Sequence, residues 1–118
     1  MAAFKHNIKL DQGATNRELF TWKSGTPATL VNLVGCTARA QLRESKDSTQ
    51  VLIELSSVEG SIALGGALGT IELIFSPVTT IGAAWRSAVY DVEITLSNGD
   101  IRRLLEGSVT LSPEVTRD

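Results

Sequence analysis

Apolar and polar residues alternate along most of the chain, and a period of two residues is typical of half-buried β-strands. The clearest run predicts a strand over 37–43, in which Ala38, Ala40 and Leu42 face the core. Similar runs predict strands over 4–10, 17–23, 50–56, 61–64, 70–75, 88–96 and 101–111. Because no segment keeps a 3.6-residue period, the pattern predicts an all-β domain over residues 1–118. Its seven to nine short strands form a single antiparallel β-sandwich (immunoglobulin-like or similar), with a small barrel as the alternative.

The last two predicted strands form a hairpin around Asn98–Gly99, since this dipeptide suits a two-residue type I′ turn. Such a turn gives the pairs Leu96–Ile101, Val92–Leu105 and Tyr90–Gly107. It also directs Arg103 at the core opposite an apolar residue. We therefore expect either a bulge near Leu104–Leu105, which Gly107 could mark, or an Arg103 side chain that reaches past the core edge.

Two segments without alternation are predicted to be connections. The glycine-rich stretch 65–69 is interpreted as a turn and not a phosphate loop, because no Lys-Ser/Thr pair follows it. The segment 76–85 contains a proline and a glycine, which predicts a crossover loop with one helical turn. The core is expected to be aliphatic, with Phe20, Trp22 and Tyr90 as its large members.

The composition excludes several classes of function. The 118 residues include one Cys and one His, which cannot make an internal disulfide or a Cys/His zinc site. The formal net charge of −2 gives no electrostatic reason to expect nucleic acid or an anionic membrane as a partner. No apolar run approaches the roughly 20 residues of a membrane span. We therefore expect no metal and no cofactor.

The remaining reactive residues do not form a catalytic set. His6 is either a ligand or pH switch, or an edge histidine with a local hydrogen-bond partner, and we favour the second. Cys36 is interpreted as a small apolar residue and not as a reactive thiol. Asp91 and Glu106 are expected to face each other across the hairpin, where Arg102 would match their charge. With no nucleophile–base pair and no metal set, we predict that the protein is not an enzyme.

An ordered series of segments over nearly the whole chain carries a resemblance to a known family. Its three longer or more telling segments are Val31–Arg43 (VNLVGCTARAQLR), Val89–Ile94 (VYDVEI) and Ile101–Arg117 (IRRLLEGSVTLSPEVTR), and its shorter pieces are Gly13, Phe20–Lys23, Pro27, Val51–Leu55 and Gly69–Leu73. In this order they resemble the small β-sandwich proteins encoded among the structural genes of tailed phages and prophages. They are also similar to the N-terminal domain of upper baseplate proteins, with Gly107–Arg117 as the most specific part. The resemblance implies a non-enzymatic virion component, often a homo-oligomer, that here consists of the docking domain alone.

The expected function is therefore that of a docking or adaptor module in the phage tail, baseplate or fibre-attachment region. Its partners would be other virion proteins and further copies of itself, with no nucleic acid and no membrane. Charge follows Met1 too soon for a signal peptide, so we expect synthesis in the host bacterial cytoplasm and localisation in the virion. The candidate contact residues are Phe4, His6, Val78, Ile81, Trp85, Glu114, Val115 and Arg117. Trp85 is the preferred anchor, with a position in the core as its alternative.

Two other functions stay open at this point. A capsid decoration protein on the phage head would use the same fold and the same kind of contact. A carbohydrate-binding module would need several exposed aromatic residues on one surface. The chain has six aromatics, counting three Phe, two Trp and one Tyr, and three of them are assigned to the core.

Overall fold

The computed structural model describes residues 3–116, which contain 11 β-strands and two short 3-10 turns, Gly66–Leu68 and Pro77–Thr79. The strands are β1 (Phe4–Lys5), β2 (Ile8–Asp11), β3 (Asn16–Thr21), β4 (Lys23–Ser24), β5 (Thr29–Leu30), β6 (Thr37–Arg43), β7 (Ile53–Ser56), β8 (Ile62–Leu64), β9 (Thr70–Phe75), β10 (Ser87–Thr95) and β11 (Ile101–Ser112). The number exceeds the predicted seven to nine because two predicted strands are each split in two. The breaks fall at residues 6–7 and at Trp22, and β5 is an addition.

The strands form two main sheets. In the first, β1 and β2 lie beside β11, followed by β10, β6 and β7. The second has the order β3–β9–β8, while β4 and β5 make a separate ribbon. The predicted sandwich was purely antiparallel, but β1 and β2 pair with β11 in parallel. The 12-residue β11 is long enough to hold both pieces of the N-terminal strand along one edge, in a single register.

Both sheets bury their inward side chains in one core, which makes the domain a sandwich. The second sheet contributes Ile71, Leu73 and Phe75, which have no exposed surface. The first sheet contributes a larger set: Ile8, Leu10, Ala38, Ala40, Leu42, Ile53, Leu55, Ala88, Tyr90, Val92, Ile94, Leu104, Leu105, Val109 and Leu111. Trp22 and Tyr90 are buried as predicted, whereas Phe20 is only partly buried. Phe75, the largest fully buried side chain, was missing from the predicted large core residues.

The strand order is that of an immunoglobulin-like sandwich. In variable-type domains one sheet has the order G-F-C-C′ and the facing sheet contains B, E and D. Here β11–β10–β6–β7 corresponds to the first and β3–β9–β8 to the second. The predicted fold class is therefore confirmed. Because the N-terminal strand pairs with β11 and not with β3, the β3 strand lies at an edge of the second sheet.

The turn between β10 and β11 has three residues, not the two that were predicted. Gly99 N donates to Leu96 O at 2.8 Å, and Leu96 N donates to Asp100 O at 2.7 Å. Gly99 has a φ of 94°, while no non-glycine residue in the described part of the chain has positive φ. A type I′ turn needs positive φ at Asn98 as well, so this prediction was wrong. The hairpin closes by a tight turn at 96–99 with glycine in the left-handed position.

The predicted bulge at Leu104–Leu105 is confirmed. Arg103 pairs with Glu93 and Leu105 with Val92, so Leu104 is the extra residue on β11. The bulge turns Arg103 to the outer face of the sheet and lets Leu104 and Leu105 both reach the core. Gly107 does not mark it, since it pairs regularly with Tyr90 further along the strand.

Candidate protein–protein interface

The predicted contact residues fall on two separate surfaces. Phe4 pairs with Leu105 on β11, whereas the loop 76–86 meets β11 at Leu111, whose N–H donates to the carbonyl of residue 86. The two points are offset by six residues along β11, which corresponds to about 20 Å. Phe4 and His6 therefore lie apart from Val78, Ile81, Trp85, Glu114 and Val115. Arg117 lies outside the described residues.

One glutamine holds the second surface together. Gln12 Nε2 donates to the carbonyl oxygens of Thr80 at 3.1 Å, Ile81 at 3.4 Å and Ala83 at 3.2 Å. Gln12 Oε1 accepts a hydrogen bond from Glu114 N at 3.4 Å. A single side chain thus ties the loop after β2 to the crossover loop and to the C-terminal segment. We call the surface made by residues 12–15, 76–86 and 113–116 the loop end.

A buried threonine adds a second link to the loop end. Thr80 is fully buried, and its Oγ1 accepts a hydrogen bond from Gly13 N at 2.9 Å. Gly13 has a φ of 77°, and a Cβ there would collide with the Glu114 carboxylate. The positive φ therefore restricts the position to glycine, whereas the Glu114 carboxylate ends a flexible side chain and can move aside. Sequence reasoning missed Gln12 and Thr80, because partners 68 positions apart leave no local pattern.

Three aliphatic side chains project from the loop end. Val78 is 78% exposed, Ile81 57% and Val115 91%. Trp85 is half-buried and packs against the core, so it lies between the two alternatives predicted for it. The loop end therefore presents an aliphatic patch on a hydrogen-bonded backbone. A second group that the sequence did not single out, Val34, Leu68 and Ile101, is exposed near the β10–β11 hairpin.

At the N-terminal edge, His6 has local partners. Its ring meets Phe20 edge-on, with centroids 5.0 Å apart and planes at 84°. Its Nε2 lies 3.9 Å from Glu18 Oε2, and its carbonyl accepts a 2.7 Å hydrogen bond from the Tyr90 hydroxyl. Phe4 beside it is 53% exposed. These contacts join the first strand to both sheets.

The Tyr90 hydroxyl is a buried donor. Burial raises its pKa above the ordinary value of 10.0, and the negative charge of Glu18 raises it further. The neutral hydroxyl therefore keeps its hydrogen bond to His6 throughout the physiological pH range.

We expect this pKa to make the domain less stable in alkali. Tyr90 is the only tyrosine, so the ultraviolet absorbance of phenolate reports it alone. The Tyr90 hydroxyl should ionise at a higher pH in the folded chain than in the unfolded chain, where it ionises near pH 10.0. Its contribution to stability is fully present below that pH. It is then lost by up to about 1.4 kcal/mol per pH unit until the folded pKa is reached. In Tyr90→Phe this part of the pH dependence of stability, measured by urea unfolding, should vanish. If the absorbance of the folded wild-type chain showed Tyr90 ionising near pH 10.0, the prediction would be contradicted.

A groove of about 410 Å³ lies on the outer face of the first sheet. Asp91 and Glu106 face each other there, as predicted. Arg103 lies between them, with Nε 3.5 Å from Asp91 Oδ2 and Nη1 3.7 Å from Glu106 Oε1. Lys46 Nζ is 4.0 Å from the same Glu106 oxygen. The predicted partner Arg102 was wrong, because the bulge brings Arg103 to this face instead.

The other candidate motifs have structural surroundings. Cys36 is half-buried, packs against the core and donates its N–H to Leu33 O at 3.0 Å. The stretch 65–69 forms a tight turn between β8 and β9, as predicted, and a Cβ on Gly65 would collide with the Thr70 hydroxyl. Within residues 3–116, no group of three or more His, Cys, Asp or Glu side chains could hold a metal ion. None of the helical segments in that range is long and apolar enough to cross a membrane.

Comparison with protein-family models finds no match, and comparison with curated proteins finds none either. The chain is similar to a solved structure described as a structure-based photo-crosslinking analysis of the multimeric cell-adhesive interactions of VGSC beta subunits. The two chains are 11% identical, and the match covers 95% of this chain and 93% of the other, with a TM-score of 0.48.

Proposed function

We propose that the protein is a bacteriophage virion structural protein, a docking or adaptor module of the tail, baseplate or fibre-attachment region. It acts through protein–protein contacts with other virion proteins, without enzymatic activity, cofactor, nucleic acid or membrane. The observation that carries the proposal is the loop end, where Gln12 fixes three segments and exposed aliphatic side chains project from them. The described part of the most specific segment of the resemblance, residues 107–116, runs into this same surface.

The loop end suits a docking role for a physical reason. Association costs conformational entropy when loops must become ordered on binding. The Gln12 and Thr80 hydrogen bonds hold the crossover loop in place beforehand, so less ordering remains for the encounter. Exposed Val78, Ile81 and Val115 then supply apolar area for a partner to bury.

A sugar-binding role lacks the surface it would need. Trp22, Phe75 and Tyr90 are buried, while Phe20 and Trp85 are partly buried against the core. Five of the six aromatic side chains are thus committed to packing, and Phe4 is the one exposed aromatic among the described residues. The projecting side chains of the loop end are aliphatic. Aliphatic patches fit protein partners better than sugar rings.

Virion incorporation tests the proposal. We expect the protein in purified particles of the phage that encodes it, detected by mass spectrometry and antibody labelling. Replacing Val78, Ile81 and Val115 together by serine should reduce its incorporation at least about tenfold, given the apolar area lost. The matched control replaces Val34, Leu68 and Ile101 by serine, at the far end of the domain, and should incorporate normally.

Three outcomes separate the possibilities. Absence of the wild-type protein from particles contradicts the virion proposal. Equal incorporation of both triple variants contradicts the loop end as the docking surface. Electron density that places the protein on the head identifies a capsid decoration protein instead of a tail component.

A further inference from the structure

The β3 strand presents an unpaired edge. It is the outermost strand of the β3–β9–β8 sheet, and its backbone pairs with β9 on one side only within the described residues. It is six residues long, against four for the β7 edge and three for the β8 edge. It contains no proline and no β-bulge, two features that protect an open edge, and its charged residues are Arg17 and Glu18.

The hydrogen bonds of β9 show which backbone groups of β3 face outward. Ile74 N donates to Ser61 O and Gly65 N donates to Thr70 O, both at 2.8 Å, so even-numbered residues of β9 face β8. Odd-numbered residues therefore face β3, as the 2.8 Å bond from Trp22 N to Gly69 O shows. Antiparallel strands alternate in this way between hydrogen-bonded and open positions.

It follows that Asn16, Glu18 and Phe20 use their N–H and C=O groups towards β9. The N–H and C=O groups of Arg17, Leu19 and Thr21 point to the open side. The side chains of the same three residues are exposed on the outer face of the sheet, and Leu19, at the centre, is 62% exposed. The edge thus combines unpaired backbone groups with a central apolar side chain.

We propose that this edge pairs with the same edge of a second copy of the chain. The two β3 strands run antiparallel, with a two-fold axis at Leu19. Leu19 then lies opposite Leu19 of the second copy, and Arg17 opposite Thr21. Each outward N–H meets an outward C=O, so all backbone groups at the edge are paired. The β3–β9–β8 sheets of the two copies then form one continuous sheet.

Charge selects this register over its neighbours. Side chains that are directly opposite share a face, so the axis must pass through a residue of the strand. An axis at Glu18 would place two carboxylates opposite each other. An axis at Phe20 would place Arg17 opposite Lys23. Only the axis at Leu19 avoids like charges and pairs all three open residues. This inference goes beyond the proposed function and does not rest on it.

Solution mass tests the pairing. Analytical ultracentrifugation of the purified chain should show a monomer–dimer equilibrium. Leu19→Lys places two ammonium groups at the axis and should raise the dimer dissociation constant about tenfold or more. Ile101→Lys, at a 66% exposed site near the hairpin, should leave it unchanged. A chain that stays monomeric at every concentration, or a dimer that Leu19→Lys leaves intact, overturns the proposal.

Cysteine cross-linking tests the register in a Cys36→Ala background. Leu19→Cys should form a disulfide-linked dimer, because opposed residues on paired strands lie within disulfide reach. Arg17→Cys and Thr21→Cys should link when mixed but far less when each is alone. Ala63→Cys, exposed on the β8 edge, is the control and should remain monomeric. Equal linking at all sites, or none at Leu19, contradicts the pairing, while virion incorporation is read separately in the particles.

Discussion

Replacing Phe75 by alanine is expected to lower the free energy of unfolding by about 3–5 kcal/mol, the usual range for a buried phenylalanine. Phe75 is the largest fully buried side chain and ends β9, directly before the crossover loop. Its removal takes apolar contacts from the core between the two sheets and leaves a cavity that β-sheet backbones cannot easily close. The loss is a large part of the 5–15 kcal/mol that stabilises an ordinary domain.

Urea unfolding followed by circular dichroism measures this effect. The matched control is Val78→Ala, three residues further along the chain at a 78% exposed position, where we expect a change within about 0.5 kcal/mol. If Phe75→Ala and Val78→Ala changed the unfolding midpoint equally, the side chain would not be part of the core. If the free energy of unfolding of Phe75→Ala fell less steeply with urea concentration, its unfolded state would be more compact. The free energies of unfolding of the two variants would then be compared by calorimetry.

The alternation of polar and apolar residues predicted the strands well where one face is buried and the other is exposed to solvent. The strand over 37–43 begins and ends as expected, because its polar and apolar residues alternate without a break. The bulge at Leu104–Leu105 was predictable for a related reason. The predicted register would have placed the Arg103 side chain opposite Ile94, and the extra residue moves it opposite Glu93 on the outer face.

Alternation does not report which strand lies next to which. The run over 4–10 fits an antiparallel or a parallel neighbour equally well, and its parallel pairing with β11 depends on contacts across the whole chain. The Asn98–Gly99 pair predicts a hairpin, but glycine suits either turn type. The register of the flanking strands, which the bulge shifts by one residue, fits the three-residue turn and not the two-residue turn.

The candidate surface was predictable only in part. Exposed Val78, Ile81 and Val115 could be found because apolar residues in a non-alternating loop have no strand face to occupy. Gln12 and Thr80 could not, since a glutamine in a loop looks solvated until its carbonyl partners are known. The β3 edge also escaped prediction, because it is open only if the N-terminal strand pairs elsewhere.

Gly107→Ala is expected to destabilise the domain by about 1–3 kcal/mol through overpacking. A Cβ at this position would collide with the His6 carbonyl and lie 3.1 Å from Asn7 Oδ1. The first strand would have to move away from β11. It would then lose the 2.7 Å bond from Tyr90 to His6 and the 3.1 Å bond from Ser108 N to Asn7.

Gly82→Ala is the matched control, because a Cβ there meets nothing within 4 Å. Urea unfolding should separate the two variants, and hydrogen exchange should localise the damage. The amide of His6, which donates to Glu106 O at 3.0 Å, should exchange faster in Gly107→Ala only. Equal stability of the variants would show that the strand adapts to the methyl group. A loss of stability in Gly107→Ala alone would show that the glycine of the Leu105–Glu106–Gly107 motif has a steric role. Its missing side chain lets the N-terminal strand cross close to β11, and that parallel pairing is what leaves β3 open at the edge of the second sheet.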